Sequence, residues 1–426
     1  MNEEFLSYLW KFRLFDPDLQ TESGDMLVIL HPGDQNVDGG PDFFNARLRI
    51  GGTTWAGNVE IHVLASSWFK HGHQFDHAYD NAILHVVYEA DLPVYHPNGT
   101  PIQTLVVKNR FPLSIFDRYQ QMMANQQWIP CYNQLLAPVE HGFNLWAPAL
   151  AVERLVHKSL NVRQLLEGCR SNWEEAFYQH LASAFGFKIN SLPFELLAKS
   201  LPLKMVSKHA GNLFQLEALF FGQAGMLGNN FSDEYPVALS HEYSFLQRKY
   251  NLESIAGSSW KFLRLRPVNF PTIRISQWAG FIAATRARFF EILETGSFDE
   301  ITGTLDISAS SYWDTHYIFD KPSAPRKKNL GNDSINLLVI NGIVPFLFLY
   351  GLEKDRPDLR EKALSFLEHV AAESNSVIER WAEVGLPLSN ALHSQALLHL
   401  KRFYCDKKRC LDCRIGSVLL ANPEVA

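Results

Sequence analysis

The stretch PDFFNARLRIGGTTWAGNVEIH, residues 41–62, decides the fold of the N-terminal region. Two β-prone segments flank Gly51-Gly52, a dipeptide that supplies the positive φ angles of a tight hairpin turn. Because side chains alternate along a strand, Glu60 and His62 share one face of the second strand. Pairing across the glycines places Asp42 opposite Ile61, the residue between Glu60 and His62, at the same end of the ladder. The pattern therefore predicts a β-hairpin that gathers two carboxylates and an imidazole.

Other strand-like segments surround this hairpin: MLVIL precedes it, and NAILHVVYEA and TPIQTLVVK follow it. ARLRI alternates apolar and polar residues and should expose Arg47, whereas NAILHVVY is almost continuously apolar, as in a strand buried on both faces. The opening segment EEFLSYLWKFRLFD has apolar residues at helical spacing and predicts an amphipathic helix over the sheet. Residues 1–115 are expected to form an α/β domain with a mixed sheet.

After this domain the strand signals fade, and apolar residues recur at three- and four-residue steps. We expect a helical domain over 116–320 and a helical C-terminal subdomain over 321–426, separated near a loop candidate at 311–333. The apolar stretch INLLVINGIVPFLFLY (335–350) is too short for a membrane span and contains a proline, so a buried helix pair is expected. The predicted fold class is α+β, a mixed-sheet domain followed by a mostly α-helical one.

The composition is that of a folded multi-domain protein. The chain has 426 residues, of which 46% are hydrophobic and 20% charged, and its formal net charge is −6. These values exclude a largely disordered chain. The negative balance provides no general attraction to nucleic acid, so a polyanion would have to be held by a local basic patch or by metal ions. The N-terminus lacks the pattern of a signal peptide, and a cytoplasmic protein without a membrane partner is expected.

The hairpin residues suggest metal-assisted chemistry. Two carboxylates held close together repel each other unless a cation or a proton lies between them, and hard oxygen ligands suit Mg²⁺ or Mn²⁺. An ion bound by Asp42 and Glu60 would activate water and neutralise charge on a phosphoryl group, with His62 placed to orient or deprotonate that water. The alternative is that Glu60 and His62 form a solvated strand face and that Asp42 caps a turn.

The order of these residues resembles the PD-(D/E)xK nuclease superfamily. The matching residues are Pro41-Asp42 and Glu60-Ile61-His62, with Glu3 or Glu4 representing an acidic residue of the preceding helix. In that superfamily the Asp and the Glu bind the metal, and a Lys two residues after the Glu assists the nucleophilic water. The resemblance implies a nuclease-like domain with Asp42, Glu60 and His62 as catalytic residues. His62 replaces the fixed cation of that lysine with a titratable imidazole.

Over nearly its full length the chain also resembles an uncharacterised bacterial family, domain of unknown function 2851. The resemblance rests on GPDFFNARL, GNVEIHV, SSWFKHGH, YDNAILHVVY, LRPVNFPTIRISQWA and YCDKKRCLDC. It implies no particular activity.

A dense group of histidines follows the second hairpin strand. It consists of His71, His73, Asp76 and His77. The group is dense enough to hold Zn²⁺ or Mn²⁺, but no spacing within it matches a standard zinc motif, and solvated histidines in a strand-to-helix connection are the simpler alternative.

Three basic residues near the hairpin are candidate substrate contacts. They are Lys70, His71 and Arg47. His85, which lies among apolar neighbours, is instead expected to be a hydrogen-bonded core residue.

Three of the five cysteines form a C-x4-C-x2-C pattern near the C-terminus, in which the close pair can share a zinc ion or an iron–sulfur cluster. They are Cys405, Cys410 and Cys413. The fourth ligand is left open among Cys131, Cys169, His393 and His399. Some PD-(D/E)xK nucleases carry an iron–sulfur cluster built from one distant cysteine and a terminal triplet, which this arrangement resembles. The alternative is a reduced, partly exposed cysteine group.

The same segment is the clearest basic patch of the chain. Residues 401–414 contain six Lys and Arg residues against two Asp residues. This excess of positive charge can contact phosphates, lower thiol pKa values or solvate the end of a helix.

Three functions follow from these observations. The leading hypothesis is a nuclease or other phosphodiesterase that depends on Mg²⁺ or Mn²⁺, with the helical region holding the nucleic acid. The second is a non-catalytic nucleic-acid-binding or scaffold protein with a degenerate nuclease-like fold. The third is a metallohydrolase that acts on another substrate through the histidine group. Protein partners are not predicted.

Overall fold

The computed structural model describes residues 1–135 and 139–421, and the chain divides into two units. The first unit comprises Met1–Leu145 and Leu400–Ala426, and the second comprises Trp146–His399. The N-terminal and C-terminal parts of the chain therefore belong to one unit, with the second unit inserted between them.

This division differs from the predicted bounds at residues 115 and 320, because two later segments pack with the N-terminal domain. The ring of Tyr119 stacks on that of Phe5, with ring centroids 5.2 Å apart. Near the other end of the chain, the carbonyl of Ser417 accepts a hydrogen bond of 3.2 Å from the hydroxyl of Tyr8. The loop candidate at 311–333 lies inside the second unit.

The first unit is built on a six-stranded mixed sheet. Its strands are β1 (Leu27–His31), β2 (Asp34–Gln35), β3 (Phe43–Ile50), β4 (Thr53–Leu64), β5 (Ala82–Glu89) and β6 (Thr104–Val106). In the order β1-β3-β4-β5-β6, the first two pairings are antiparallel and the last two are parallel, and β2 pairs with β3. The predicted mixed sheet is confirmed.

The predicted hairpin is formed by β3 and β4, with Ile50 paired to Thr53. Gly51 and Gly52 turn the chain with φ angles of +53° and +88°, a region that residues with side chains rarely adopt. Near its start β3 contains a bulge, where Asn45 has a φ of +57°. This register sets the beginning of β3 beside the second half of β4.

Helices make up most of the remaining chain, and the predicted α+β class is confirmed. The α-helices of the described residues are α1 (Glu3–Phe12), α2 (Ser67–Lys70), α3 (Leu113–Ala124), α4 (Val139–Gly168), α5 (Trp173–Phe185), α6 (Phe187–Ser200), α7 (Leu203–Val206), α8 (Leu213–Gln223), α9 (Glu234–Tyr250), α10 (Pro271–Thr285), α11 (Phe289–Thr295), α12 (Phe298–Thr304), α13 (Asn332–Leu338), α14 (Val344–Glu353), α15 (Pro357–His369), α16 (Ser376–Glu383), α17 (Ala391–His399) and α18 (Arg414–Ala421). A two-stranded ribbon, β7 (His316–Ile318) and β8 (Lys321–Pro322), lies between α12 and α13.

The first helix covers the sheet as predicted. Asn2 caps α1 by accepting a hydrogen bond of 3.1 Å from the backbone N–H of Phe5. The helix buries Phe5, Leu6 and Trp10 and packs on β4. The indole of Trp10 also donates a hydrogen bond of 2.9 Å to the carbonyl of Pro32, which ties α1 to the segment after β1.

The apolar stretch at 335–350 lies in a helical segment of the second unit. Helices α13 and α14 are joined by a π-helical turn at Val339–Ile343. The combined segment Asn332–Glu353 has the length and composition to cross a membrane, the single such segment among the described residues, but 67% of its apolar window is buried within the protein. It is a buried core element, as predicted for the stretch.

The contact between α8 and α9 depends on a glycine. Gly222 faces the ring of Tyr243, whose hydroxyl donates a hydrogen bond of 3.0 Å to Gln223 Oε1. A Cβ at residue 222 would overlap the ring carbons of Tyr243, which is 7% exposed and has little room to move.

We therefore expect Gly222→Ala to lower the free energy of unfolding by about 1–3 kcal/mol, the usual cost of overpacking a core. Gly303→Ala is the matched control, because no atom lies within 4 Å of a Cβ built there in α12. Urea denaturation of both variants measures the difference. Equal stability of the two variants would contradict this account of the helix contact.

Candidate metal centre

The loop that leads into β3 is braced by one side chain. Asn36 Nδ2 donates to the carbonyls of Asp38 and Pro41, each at 3.1 Å, and the backbone N–H of Asn36 donates to the carbonyl of Asp42 at 2.8 Å. Gly40 within this loop has a φ of +108°, which favours glycine. Asp42 is therefore held in a fixed position at the beginning of β3.

The carboxylates of Asp42 and Glu60 lie side by side at this end of the hairpin. The backbone N–H of Asp42 donates to Glu60 Oε2 at 3.1 Å, and that of Ile61 donates to Asp42 Oδ2 at 2.8 Å. Glu60 is 5% exposed and His62 is 1% exposed. The two groups therefore belong to a buried site and do not form a solvated strand face.

Three imidazoles adjoin these carboxylates. His62 Nε2 lies 3.1 Å from His71 Nδ1 and 3.5 Å from Glu60 Oε1. His73 Nε2 lies 3.1 Å from the same Glu60 oxygen. His71 follows α2 directly, and Gly72, with a φ of +75°, turns the chain so that His73 comes back towards β4. We call Glu60, His62, His71 and His73 the histidine–glutamate cluster.

The donor atoms of three members of this cluster, His62, His71 and His73, have the spacing of a metal site. Metal–ligand bonds of about 2.0–2.1 Å in a tetrahedral site put the ligand atoms roughly 3.3 Å apart. One nitrogen from each of the three imidazoles lies within 4.8 Å of the other two. The buried Nε2 of His73 makes no hydrogen bond, although Glu60 Oε1 is 3.1 Å away. Imidazole nitrogens suit Fe²⁺ or Zn²⁺ better than Mg²⁺, and the neighbouring carboxylate of Glu60 also suits Mn²⁺.

Without a bound ion, burial and repulsion between like charges shift the pKa values of Asp42 and of the cluster residues. Burial, with a contribution from Glu3, raises the pKa of Asp42 to about 6, and burial together with the neighbouring Asp42 raises the pKa of Glu60 to about 9. Burial and the adjacent histidines lower the pKa of His62 to about 2 and that of His73 to about 4. His62 and His73 are therefore neutral at neutral pH, the form in which histidine binds metals.

His85 orients one of these imidazoles. Its Nε2 lies 2.8 Å from His62 Nδ1, and neither side chain is more than 1% exposed. When His62 Nε2 is a ligand, its proton is on Nδ1 and is donated to His85. The predicted hydrogen bond of this core histidine is present, and its partner is a member of the cluster.

The histidine group named from the sequence separates into two parts. His71 and His73 belong to the cluster, whereas His77 is 97% exposed on its side chain and pairs with Asp80 at 2.9 Å. Asp76 caps a 3₁₀ turn by accepting a hydrogen bond of 2.9 Å from the N–H of Ala78. In the sequence, the cluster corresponds to the pattern E-x-H, which is followed nine and eleven residues later by His71 and His73.

The other candidate residues lie at different distances from this site. Glu3, at the start of α1, acts electrostatically on both Asp42 and Glu60. Lys70 is exposed at the end of α2, one residue before His71. Arg47 is exposed on β3, about five residues or roughly 16 Å along the strand from Asp42. Arg47 thus lies towards the hairpin turn, away from the end that carries the carboxylates.

The model of one protein family matches residues 3–376, and the family is described as a protein of unknown function (DUF2851). The matched region includes the hairpin and the histidine–glutamate cluster, and it ends before the cysteine triplet. No curated protein and no solved structure shows a significant match to the chain.

We expect the full chain to bind Mn²⁺ through the cluster. His73→Ala should weaken this binding at least ~10-fold, because it removes a ligand from a buried site. His77→Ala is the matched control, because His77 is an exposed histidine of the same segment. Isothermal titration with Mn²⁺ checks the pair, and equal affinities in the two variants would show that the cluster is not the binding site.

Proposed function

The chain belongs to the DUF2851 family, and we propose that it is a metal-dependent hydrolase that cleaves phosphodiester bonds in nucleic acid. The proposal rests on a carboxylate–imidazole site with metal-ligand spacing next to a surface suited to phosphates. The proposal keeps the leading hypothesis from the sequence, but its metal ligands are mainly histidines instead of Asp42 and Glu60.

One observation carries the choice of substrate. A cleft of about 540 Å³ in the first unit is lined both by Asp42 and by the basic segment Lys407-Lys408-Arg409. These three basic residues are exposed. A phosphate chain entering this cleft would meet the positive charges beside the carboxylates, so the local patch supplies the attraction that the net charge of the whole protein does not.

The cleft also contains negative charge. Glu3 and Glu4, from the first turn of α1, line it together with Lys11. Acidic residues there repel phosphate unless a cation lies nearby. Asp42, which lines the cleft and whose N–H bonds Glu60, links the cleft to the cluster that would hold the cation, and the basic side suits the flanking phosphates. The mixed lining therefore fits a metal-assisted phosphodiesterase better than a site that only binds polyanions.

The residues have separate roles in this proposal. His62, His71 and His73 would hold the ion, with Glu60 against His62 and His73, and the ion would supply a lowered pKa for a water in the fourth position and neutralise charge on the phosphoryl group. The Asp42 carboxylate accepts a hydrogen bond from the N–H of Ile61, and the N–H of Asp42 donates to Glu60, so Asp42 is the group placed to orient the attacking water. His62 thereby becomes a ligand instead of the group that takes the water's proton.

His71 is the exposed member of the cluster. The site therefore opens to solvent on the side of His71, where a substrate phosphate could reach the ion without displacing a buried group. This is the form of a catalytic metal site, which keeps a position open for water or substrate.

The first test is incubation of the full chain with single- and double-stranded DNA and RNA in the presence of Mn²⁺. We expect cleavage of at least one of these substrates, and we expect Asp42→Asn to lower the rate by a factor on the order of 10² or more. His77→Ala should cleave at the wild-type rate. Cleavage that survives both Asp42→Asn and Glu60→Gln would sink the proposal.

The alternative of a non-catalytic nucleic-acid-binding or scaffold protein is favoured by the same basic segment, and a binding experiment examines that segment directly. Lys407→Ala should weaken binding to a single-stranded oligonucleotide and reduce the slope of log K against log salt by about 1, because one phosphate contact is lost. Arg49→Ala, an exposed arginine on β3, should leave the slope unchanged. Salt-dependent binding with no cleavage under any condition would favour the binding protein.

A further inference from the structure

A cavity of about 760 Å³ lies within the second unit. Its lining comes from three parts of the chain: the beginning of α6, the segment that leads into α10, and the segment that runs from β8 into α13. In residue numbers these are 186–194, 265–274 and 326–337. A volume of this size is typical of a pocket for a small organic ligand.

The lining of this cavity is strongly basic. Its charged residues are six Lys and Arg residues and one acidic residue, namely Lys188, Arg266, Arg274, Arg326, Lys327, Lys328 and Asp333. Lys328 Nζ donates a hydrogen bond of 2.7 Å to the carbonyl of Asp314, so this ammonium already has a partner. Four of the other cations are exposed, and none of these four forms an ion pair with a carboxylate in the described part of the chain. The cavity therefore carries an excess of positive charge that its single Asp does not balance.

Arg274 is the buried cation that lacks a counter-ion. It is 4% exposed, and its guanidinium donates to Gln277 Oε1 at 2.9 Å. Its other acceptors are Asn269 Oδ1 at 2.6 Å and Ser334 Oγ at 2.9 Å, so all three partners are neutral. The buried Nε has no hydrogen-bond partner among the described residues. Burial lowers the pKa of Arg274 to about 10, and an anion in the cavity would supply the counter-charge that the protein does not.

The ring of Phe187 adjoins this guanidinium. Arg274 Cζ lies 4.6 Å from the ring centroid, within the range of a cation–π contact. Phe187 has a φ of +48°, a left-handed backbone conformation that is strained for an aromatic residue. Such strain persists only where the surrounding structure holds it, and it is frequent at ligand sites. Phe187 thus positions Arg274 and also gives the cavity an aromatic surface.

Hydrogen bonds hold the three parts of the lining in place. Asn190 donates through Nδ2 to the carbonyl of Lys261 and accepts through Oδ1 from the N–H of Lys261, each at 2.9 Å, which ties α6 to the segment before α10. Gln277, the partner of Arg274, donates through Nε2 to the carbonyl of Lys328 at 2.9 Å. The site is therefore formed before a ligand arrives, which lowers the entropic cost of binding.

We propose that this cavity binds a nucleoside triphosphate, with Arg274 and the exposed cations around it contacting the phosphate groups. Guanidinium and ammonium groups form charge-assisted hydrogen bonds with phosphate oxygens, and the excess of cations favours a ligand with several negative charges. The volume suits a nucleotide, and Phe187, Val268 and Leu337 provide apolar lining for the base and the sugar. The inference does not depend on the proposed function, because every lining residue belongs to the second unit.

The test is isothermal titration of the full chain with ATP, in the presence of EDTA so that no divalent ion links the phosphates to the histidine–glutamate cluster. We expect ATP to bind, and we expect the double variant Arg326→Ala/Lys327→Ala to lose at least ~10-fold in affinity, because it removes two charged donors. Both residues are exposed, so their removal should not hinder folding. Arg248→Ala/Lys249→Ala is the matched control, because it removes an exposed Arg-Lys pair of α9 that does not line the cavity.

Three further probes distinguish the sources of phosphate. Inorganic tripolyphosphate should compete with ATP but bind more weakly, because it leaves the apolar part of the lining uncovered. Adenosine, which has no phosphate, should bind far more weakly than ATP. Equal affinities for tripolyphosphate and ATP would rule out the nucleotide as the preferred ligand. A single-stranded oligonucleotide that needs Arg326 and Lys327 when ATP does not would also overturn the proposal.

A labelling experiment locates the site in the unaltered protein. The full chain is acetylated with an N-hydroxysuccinimide ester with and without ATP, and mass spectrometry should find Lys188 and Lys327 protected by ATP and Lys249 unaffected. No binding of ATP, equal affinities in the two double variants, or labelling of Lys188 and Lys327 that ATP does not change would overturn the nucleotide site. Since these measurements use neither Mn²⁺ nor cleavage, the proposed function is decided separately.

Discussion

The burial of Glu60 in the middle of a sheet is the constraint on which the first unit depends. Strand β4 is paired on both sides, with β3 antiparallel and β5 parallel, and the Glu60 side chain is 5% exposed. One carboxylate oxygen accepts the N–H of Asp42, and the other faces the imidazoles of His62 and His73. A buried charge of this kind is costly unless it is paired, and a second carboxylate beside it adds repulsion. Burial and Asp42 therefore raise the pKa of Glu60 to about 9, so the carboxyl keeps its proton at neutral pH until a cation takes the place of that proton.

The packing around the cluster restricts its ligands in the same way. The ring of Tyr79 stacks on His73 with centroids 3.8 Å apart, and Trp68 packs edge-on against it at 5.4 Å. His85 holds His62 from behind at 2.8 Å. Such outer partners remove rotational freedom from a ligand before an ion arrives, which lowers the entropic cost of binding. The rigid part of the site is thus the sheet, and the adaptable part is the short turn that carries His71.

The hairpin could be predicted because its determinants are local. Gly51-Gly52 and the alternation along β4 fix which residues face each other, so the proximity of Asp42, Glu60 and His62 follows from a dozen neighbouring residues. His85 could not be assigned to the site, because a lone histidine in an apolar strand is predicted as a core residue until the parallel pairing of β4 with β5 sets it opposite Glu60 and within 2.8 Å of His62. The domain bounds depend on contacts across most of the chain, which periodicity does not report.

The long separation between the two parts of the first unit costs little free energy in itself. Tyr8 and Ser417 are 409 positions apart and share a hydrogen bond. Loop-closure entropy grows with the logarithm of length, so extending a loop from 100 to 400 residues adds only about 1.2 kcal/mol, comparable to one hydrogen bond. The hydrogen bonds of Arg118 to Leu420 and of Lys408 to Met123 fix where this segment lies, and they thereby keep Lys407 at the cleft that Asp42 lines.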